Sequence, residues 1–89
     1  SQPVHELNED RITIGRVEDN MIHINDGSVS SHHAEIISDG SIFHLHDLGS
    51  TNGTFINGEQ ITDAVLNPND EIRFGGVGAV FLVEGVMLT

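Results

Sequence analysis

His33-Ala34-Glu35-Ile36-Ile37-Ser38-Asp39-Gly40-Ser41-Ile42-Phe43-His44-Leu45-His46-Asp47 is the stretch that decides the architecture. Two runs rich in aliphatic and β-branched residues flank an Asp-Gly pair, and Asp-Gly tolerates the positive φ that a two-residue hairpin turn requires. With Asp39-Gly40 as the turn, Ser38 faces Ser41, Ile36 faces Phe43 and Ala34 faces Leu45. These residues share one sheet face, expected to be the core face, while Glu35 with His44 and His33 with His46 take the other. A hairpin also joins its two ends in space. The loop before it, 25–32, and the loop after it, 48–53, must therefore lie at the same end of the sheet.

The rest of the chain repeats the pattern. Candidate strands at 4–7, 11–14, 21–24, 33–38, 41–47, 54–56, 71–74 and 79–84 are separated by Asp26-Gly27, Asp39-Gly40, Asn57-Gly58 and Asn67-Pro68-Asn69-Asp70. No segment sustains a helical period. Regularly spaced short strands with such punctuation predict an all-β, antiparallel β-sandwich or barrel. The 89 residues predict a single domain, with a core built mainly from aliphatic side chains because the chain has four Phe and no Trp or Tyr.

Charge and composition exclude several functions. The formal net charge is −11, Lys is absent, and Arg11, Arg16 and Arg73 are the only fixed cations. Nucleic acid and anionic membrane surfaces both require clustered Lys or Arg, so neither is an expected partner. Without Cys there are no disulfides, thiolate metal sites or cysteine nucleophiles. The longest wholly apolar run, Ala79-Val80-Phe81-Leu82-Val83, is too short to span a bilayer, and nothing resembles a signal peptide. The expected setting is cytoplasmic, within a larger protein.

The two loops that the hairpin brings together read Gly27-Ser28-Val29-Ser30-Ser31-His32-His33 and Gly49-Ser50-Thr51-Asn52-Gly53. Hydroxyls, an amide side chain and glycine-released backbone N–H groups suit a phosphate. A phosphothreonine brings about −1.5 to −2 charges and three strong acceptor oxygens. One guanidinium would complete such a cradle, and Arg16, directly after Gly15 at the end of a strand, is the candidate. Arg11 and Arg73 are expected on solvated faces. Ser, Thr, Asn and Gly are also ordinary loop residues, so spacing alone leaves both readings open.

Several motifs in order carry a closer likeness: Thr13-Ile14-Gly15-Arg16; Asn20 with Ile22 and Ile24; Ser28-Val29-Ser30-Ser31-His32-His33-Ala34; Asp47-Leu48-Gly49-Ser50-Thr51-Asn52-Gly53-Thr54-Phe55-Ile56-Asn57-Gly58; and Asn69-Asp70-Glu71-Ile72-Arg73-Phe74-Gly75. Together, over about residues 4–84, the chain resembles forkhead-associated (FHA) domains. The resemblance implies a β-sandwich of about ten short strands that binds phosphothreonine in a partner protein, with no cofactor, no metal and no catalysis. It implies that Arg16 contacts the phosphate, that Ser30 and Thr51 donate hydroxyls, and that Asn52 bonds the bound peptide's main chain. Gly15, His33 and Gly53 would be structural supports, with His33 tying the recognition loop down from below. Ser28 and the 75–78 loop, Gly76 in particular, are expected to bear on specificity. The family's preference for threonine over serine requires a niche for the γ-methyl, worth about 0.8 kcal/mol per buried carbon.

Two departures stand out. The position after Ser30, often basic or an amide in the family, is Ser31, which joins the expected phosphate-binding hydroxyls and leaves Arg16 as the one fixed cation there. Family members also carry a strand before the one matching 4–7. Its absence predicts either a piece cut from a longer protein or an open edge covered by 85–89 or by a neighbouring molecule, a homodimer through that edge included.

Three rival readings use the same residues. His33, His44 and His46 near Glu35 include a His-x-His pattern able to bind zinc. Ser30, His33 and Asp47 are triad types, though without the Gly-x-Ser-x-Gly elbow. The acidic surface and Ser31 also fit an FHA scaffold that assembles proteins without phosphate.

Overall fold

The computed structural model describes residues 4–83 and 85–89. They form β1 (Val4–Glu6), β2 (Arg11–Gly15), β3 (Ile22–His23), β4 (Ala34–Asp39), β5 (Ile42–Asp47), β6 (Thr54–Ile56), β7 (Glu59–Ile61), β8 (Asp63–Val65), β9 (Glu71–Phe74), β10 (Val77–Leu82) and β11 (Gly85–Leu88). One sheet has the order β1-β11-β10-β9-β6-β7, the other β3-β2-β4-β5-β8. Alternation places the core. Ile12 and Ile14 of β2, Ala34 and Ile36 of β4 and Leu45 of β5 point inward from one sheet, meeting Ile72, Phe74, Ala79, Phe81 and Val86 of the other. Phe43 closes edge-on against Phe81, with ring centroids 5.5 Å apart.

The β4–β5 hairpin pairs in a different register from the one expected. Asp39 lies opposite Ile42, Ser38 opposite Phe43, Ile36 opposite Leu45 and Ala34 opposite Asp47. The turn pair is Gly40-Ser41, with Gly40 at φ 70° and Asp39 still in the strand. A glycine at the first central position suits a type II′ turn, so Asp-Gly marks the turn's entry and not its two central residues. The slip is two residues, so the side-chain period is preserved and Ala34, Ile36 and Leu45 keep their inward face. On the outer face, however, Glu35 pairs with His46 and Ile37 with His44.

Elsewhere Asn57-Gly58 forms a two-residue turn with both φ angles positive (50° and 86°), joining β6 to a β7 that the sequence reading leaves unassigned. The unassigned β8 pairs with β5, and β11 pairs with both β1 and β10, so 85–88 covers one side of β1. The strand expected at 79–84 runs from Val77 to Leu82, and Glu84 lies outside the described residues. Pairing is antiparallel except between β2 and β3. That parallel bridge involves only Ile14 with Ile22 and Gly15 with His23, so a short loop can make the return.

Candidate functional site

The site begins at Gly15, where β2 ends. A Cβ there would lie 2.2 Å from the Ser31 carbonyl oxygen and 2.7 Å from Asn20 Nδ2. Glycine alone lets the 25–33 segment close over the end of the strand. The Arg16 N–H then donates to Ser30 O at 2.9 Å, and the Ile24 N–H to Gly15 O at 2.9 Å. Asn20, 6% exposed, locks this corner by donating from Nδ2 to Val17 O (2.9 Å) and Ser31 O (2.8 Å).

Arg16 is exposed but positioned. Its Nε–H donates to Val29 O at 2.9 Å, and a terminal nitrogen lies 3.4 Å from Ser31 Oγ. The one ion pair among the described residues is Arg11 with Glu35, at 2.6 Å, so the Arg16 charge is not neutralised by an acid.

The 48–53 loop is organised by Asp47 at the end of β5. Its Oδ2 accepts from the N–H groups of Gly49 (2.9 Å) and Ser50 (3.0 Å), and its Oδ1 from the hydroxyls of Ser50 (2.5 Å) and Thr54 (2.6 Å). Partial burial acts to raise the carboxyl's pKa, but those hydroxyls and amides outweigh it and hold the group below its ordinary value. The Ser50 hydroxyl oxygen also accepts the Gly53 N–H at 3.1 Å.

The two loops are bolted together as hairpin geometry requires. The Thr51 N–H donates to Ser30 Oγ at 3.0 Å, and Asn52 Nδ2 to Ser28 O at 2.9 Å. Because Ser30 Oγ accepts there, its own proton stays available to an anion. Beneath them His33 is fully buried. Its Nδ1 accepts the Ser30 N–H at 3.0 Å, so Nε2 carries the proton and donates to Gly53 O at 2.8 Å. The ring stands edge-on to Phe74, centroids 5.8 Å apart.

A third loop joins from the opposite sheet. The Gly75 N–H donates to Gly53 O at 2.9 Å and the Gly76 N–H to Ser28 Oγ at 2.8 Å. Gly75 sits at φ 58°, and a Cβ there would be 2.2 Å from Ser28 O. The Ser28 hydroxyl donates to Asp26 Oδ1 at 2.6 Å, and the Ser28 N–H reaches the same oxygen at 2.9 Å. The hydroxyl and then the amide of Ser28 lower the Asp26 pKa. Ser28 thus acts as a strut between loops, with its hydroxyl already donating and accepting.

Arg16, Ser30, Ser31, Thr51 and Asn52 therefore stand together at one end of the sandwich, above Gly15, His33 and Gly53 and flanked by Ser28 and Gly76. The other groupings read from the sequence do not assemble. His33 is inside the core, whereas His44 and His46 lie on β5's outer face, and no metal-holding group forms among the described residues. His33 bonds the Ser30 main chain, not its hydroxyl, and Asp47 is engaged with Ser50 and Thr54. Sequence reasoning placed Asp26 only in a turn pair and Asp47 only in a family motif and a triad alternative, not as organisers of these loops, although Asp followed closely by Gly and Ser is an Asx-turn signal. Asn20 was read only as a family motif position, since nothing local marks its amide as buried.

Comparison with known proteins gives a consistent result. A family model described as FHA domain matches residues 12–75. The glycogen accumulation regulator GarA of Mycolicibacterium smegmatis is 40% identical over 76 residues, covering 85% of this chain and 48% of GarA. The chain thus spans about half the length of that relative. Among solved structures, Mycobacterium tuberculosis EmbR in complex with a low-affinity phosphopeptide superposes with a TM-score of 0.84 at 30% identity, over 92% of this chain and 24% of EmbR. A chain from a structural and functional analysis of phosphothreonine-dependent FHA domain interactions gives 0.79 at 34% identity, over 92% of this chain and 78% of that one.

Proposed function

The chain belongs to the FHA domain family, and from that premise we propose that it binds phosphothreonine in a partner protein through the Arg16–Ser30–Thr51 cradle. The observation that carries this reading is an Arg whose side chain is held by the Val29 carbonyl beside the Ser31 hydroxyl, with no acid on it among the described residues. Its main chain is bonded to Ser30, whose hydroxyl is held by Thr51. Arg16 supplies the charge, and Ser30, Ser31 and Thr51 supply hydroxyls. Asn52, anchored through Nδ2 to Ser28 O, has its carbonyl oxygen for the peptide's main chain. Ser28 and Gly76 act on specificity by setting the shape of the flanking loop.

The action is binding without catalysis. Among the described residues no base contacts the Ser30 hydroxyl, and the His33 nitrogens are both committed to backbone. Nucleic acid and membrane are disfavoured because three Arg spread over β2, its following loop and β9 form no basic patch. The setting that fits is intracellular, where kinases act, inside a longer protein. Association of two copies through the β1 edge is a further element of the proposal.

The test is an oriented phosphothreonine peptide library run beside its unphosphorylated twin. Selective retention of the phosphorylated set supports the reading. Equal retention of both moves the function to phosphate-independent assembly.

A further inference from the structure

Three fixed cations stand against 14 Asp and Glu, so the placement of each cation is informative. Arg11 is neutralised by Glu35 on the neighbouring strand. Arg16 belongs to the cradle. Arg73 stands on the outer face of β9, cross-strand from Phe55 and Gly78, exposed and without an acid partner among the described residues. Its Nη1 instead donates to Gly76 O at 3.1 Å.

Gly76 is also the residue whose N–H is held by Ser28 Oγ, and Ser28 O in turn receives the Asn52 amide. A continuous polar rim therefore runs from Asn52 through Ser28 and Gly76 to Arg73. The two acid-free cations are posted alike: Arg16 spends a nitrogen on Val29 O and Arg73 spends one on Gly76 O, both carbonyls of loops at the binding end. Each retains donors for a ligand. Beside Arg73 a groove of about 530 Å³ runs along the sheet, lined by Phe55, Gly78, Val80 and Thr89 and, at its Glu71 end, by an acid, so an anion is favoured only at the Arg73 end. At Gly78 the groove is bordered by Thr89, whose Oγ1 a Cβ there would meet at 2.6 Å.

We propose that Arg73 is a second anion reader, engaging a carboxylate or second phosphate that the same peptide carries a few residues from the phosphothreonine, on the Ser28 side. The inference rests on the phosphothreonine reading. An extended peptide advances about 3.3–3.6 Å per residue, so one that lies on Asn52 and follows the rim reaches Arg73 within a few residues. The electrostatics sharpen the choice. On a surface this acidic a second negative charge is repelled at most positions, and it is welcome only within about one 8 Å screening length of an unpaired Arg.

The experiment uses phosphothreonine peptides with a single Glu, Gln or phosphoserine scanned through the flanking positions, titrated against the wild type and Arg73→Gln. At one position Glu should bind about two- to fivefold more tightly than Gln, the range of an exposed ion pair. Arg73→Gln should erase that preference while leaving the Gln peptide's affinity unchanged, and in the wild type the preference should shrink as salt is raised. A gain from Glu identifies a carboxylate; a gain from phosphoserine alone identifies a second phosphate. Phosphopeptide binding without any positional acid preference, or with one that survives Arg73→Gln, overturns this inference alone. Failure of the wild type to bind any phosphothreonine peptide overturns the underlying reading and this inference with it.

Discussion

Replacing His33 with Ala should unfold the recognition end from beneath. The imidazole is fully buried and makes two hydrogen bonds to backbone of different loops, Ser30 N–H to Nδ1 at 3.0 Å and Nε2–H to Gly53 O at 2.8 Å. Removing the ring leaves the Ser30 N–H unpaired, at about 1–3 kcal/mol, and takes one of two donors from Gly53 O, which keeps the Gly75 N–H, at about 0.5–1.5 kcal/mol. It also removes the edge-to-face contact with Phe74, worth about 0.5–1.5 kcal/mol. Water entering the vacated space returns part of the loss, which leaves a destabilisation of about 2–4 kcal/mol. For a domain of this size each kcal/mol moves Tm by about 4–8 °C, so the midpoint should fall by at least about 8 °C. The chain has no Trp or Tyr, so unfolding in urea is best followed by far-ultraviolet circular dichroism. A loss below about 1 kcal/mol would refute the reasoning, because an orphaned buried N–H, a lost bond to Gly53 O and a lost ring contact together cannot cost so little.

Other expectations follow from the same geometry. Asp47 has a folded pKa held below the ordinary carboxylate value, so its ionised form stabilises the fold above the unfolded pKa, and that contribution disappears as pH falls through the folded value. The stability gap between wild type and Asp47→Asn should therefore be widest near neutrality and close in acid; a gap constant with pH contradicts this. Gly15→Ala drives a Cβ to 2.2 Å from Ser31 O, whereas Gly27 has nothing within 4 Å. Thermal melts should show a large loss for the first and almost none for Gly27→Ala, and equal melts would remove the steric argument. Because the whole surface repels anions, raising salt should leave phosphopeptide affinity nearly unchanged or improve it; steep weakening in calorimetric titrations would point to an attractive field that the charge distribution lacks.

Much of this was legible before any coordinates. The Ala34, Ile36 and Leu45 core face follows from alternation, and the meeting of the 25–32 and 48–53 loops follows from one hairpin, whatever its register. The register itself was not legible, because Asp39-Gly40-Ser41 contains two overlapping turn pairs and sequence does not say which residue takes positive φ. β7 and β8 escaped because Glu59-Gln60-Ile61 and Asp63-Ala64-Val65 are short and rich in residues that strands seldom favour, unlike the equally short Thr54-Phe55-Ile56. The Arg73–Gly76–Ser28 connection was hidden for another reason. It joins residues 48 positions apart through backbone atoms, and backbone leaves no compositional trace.

The cradle itself is best tested by nuclear magnetic resonance, following backbone amides and Arg side-chain signals while a phosphothreonine peptide and its unphosphorylated twin are titrated in turn. The largest shifts should fall on Arg16 Nε–H, Ser30, Ser31, Thr51 and Asn52, with the phosphorylated peptide alone. Equal responses to both peptides, or shifts centred on the outer sheet faces with Arg16 still, would contradict the account.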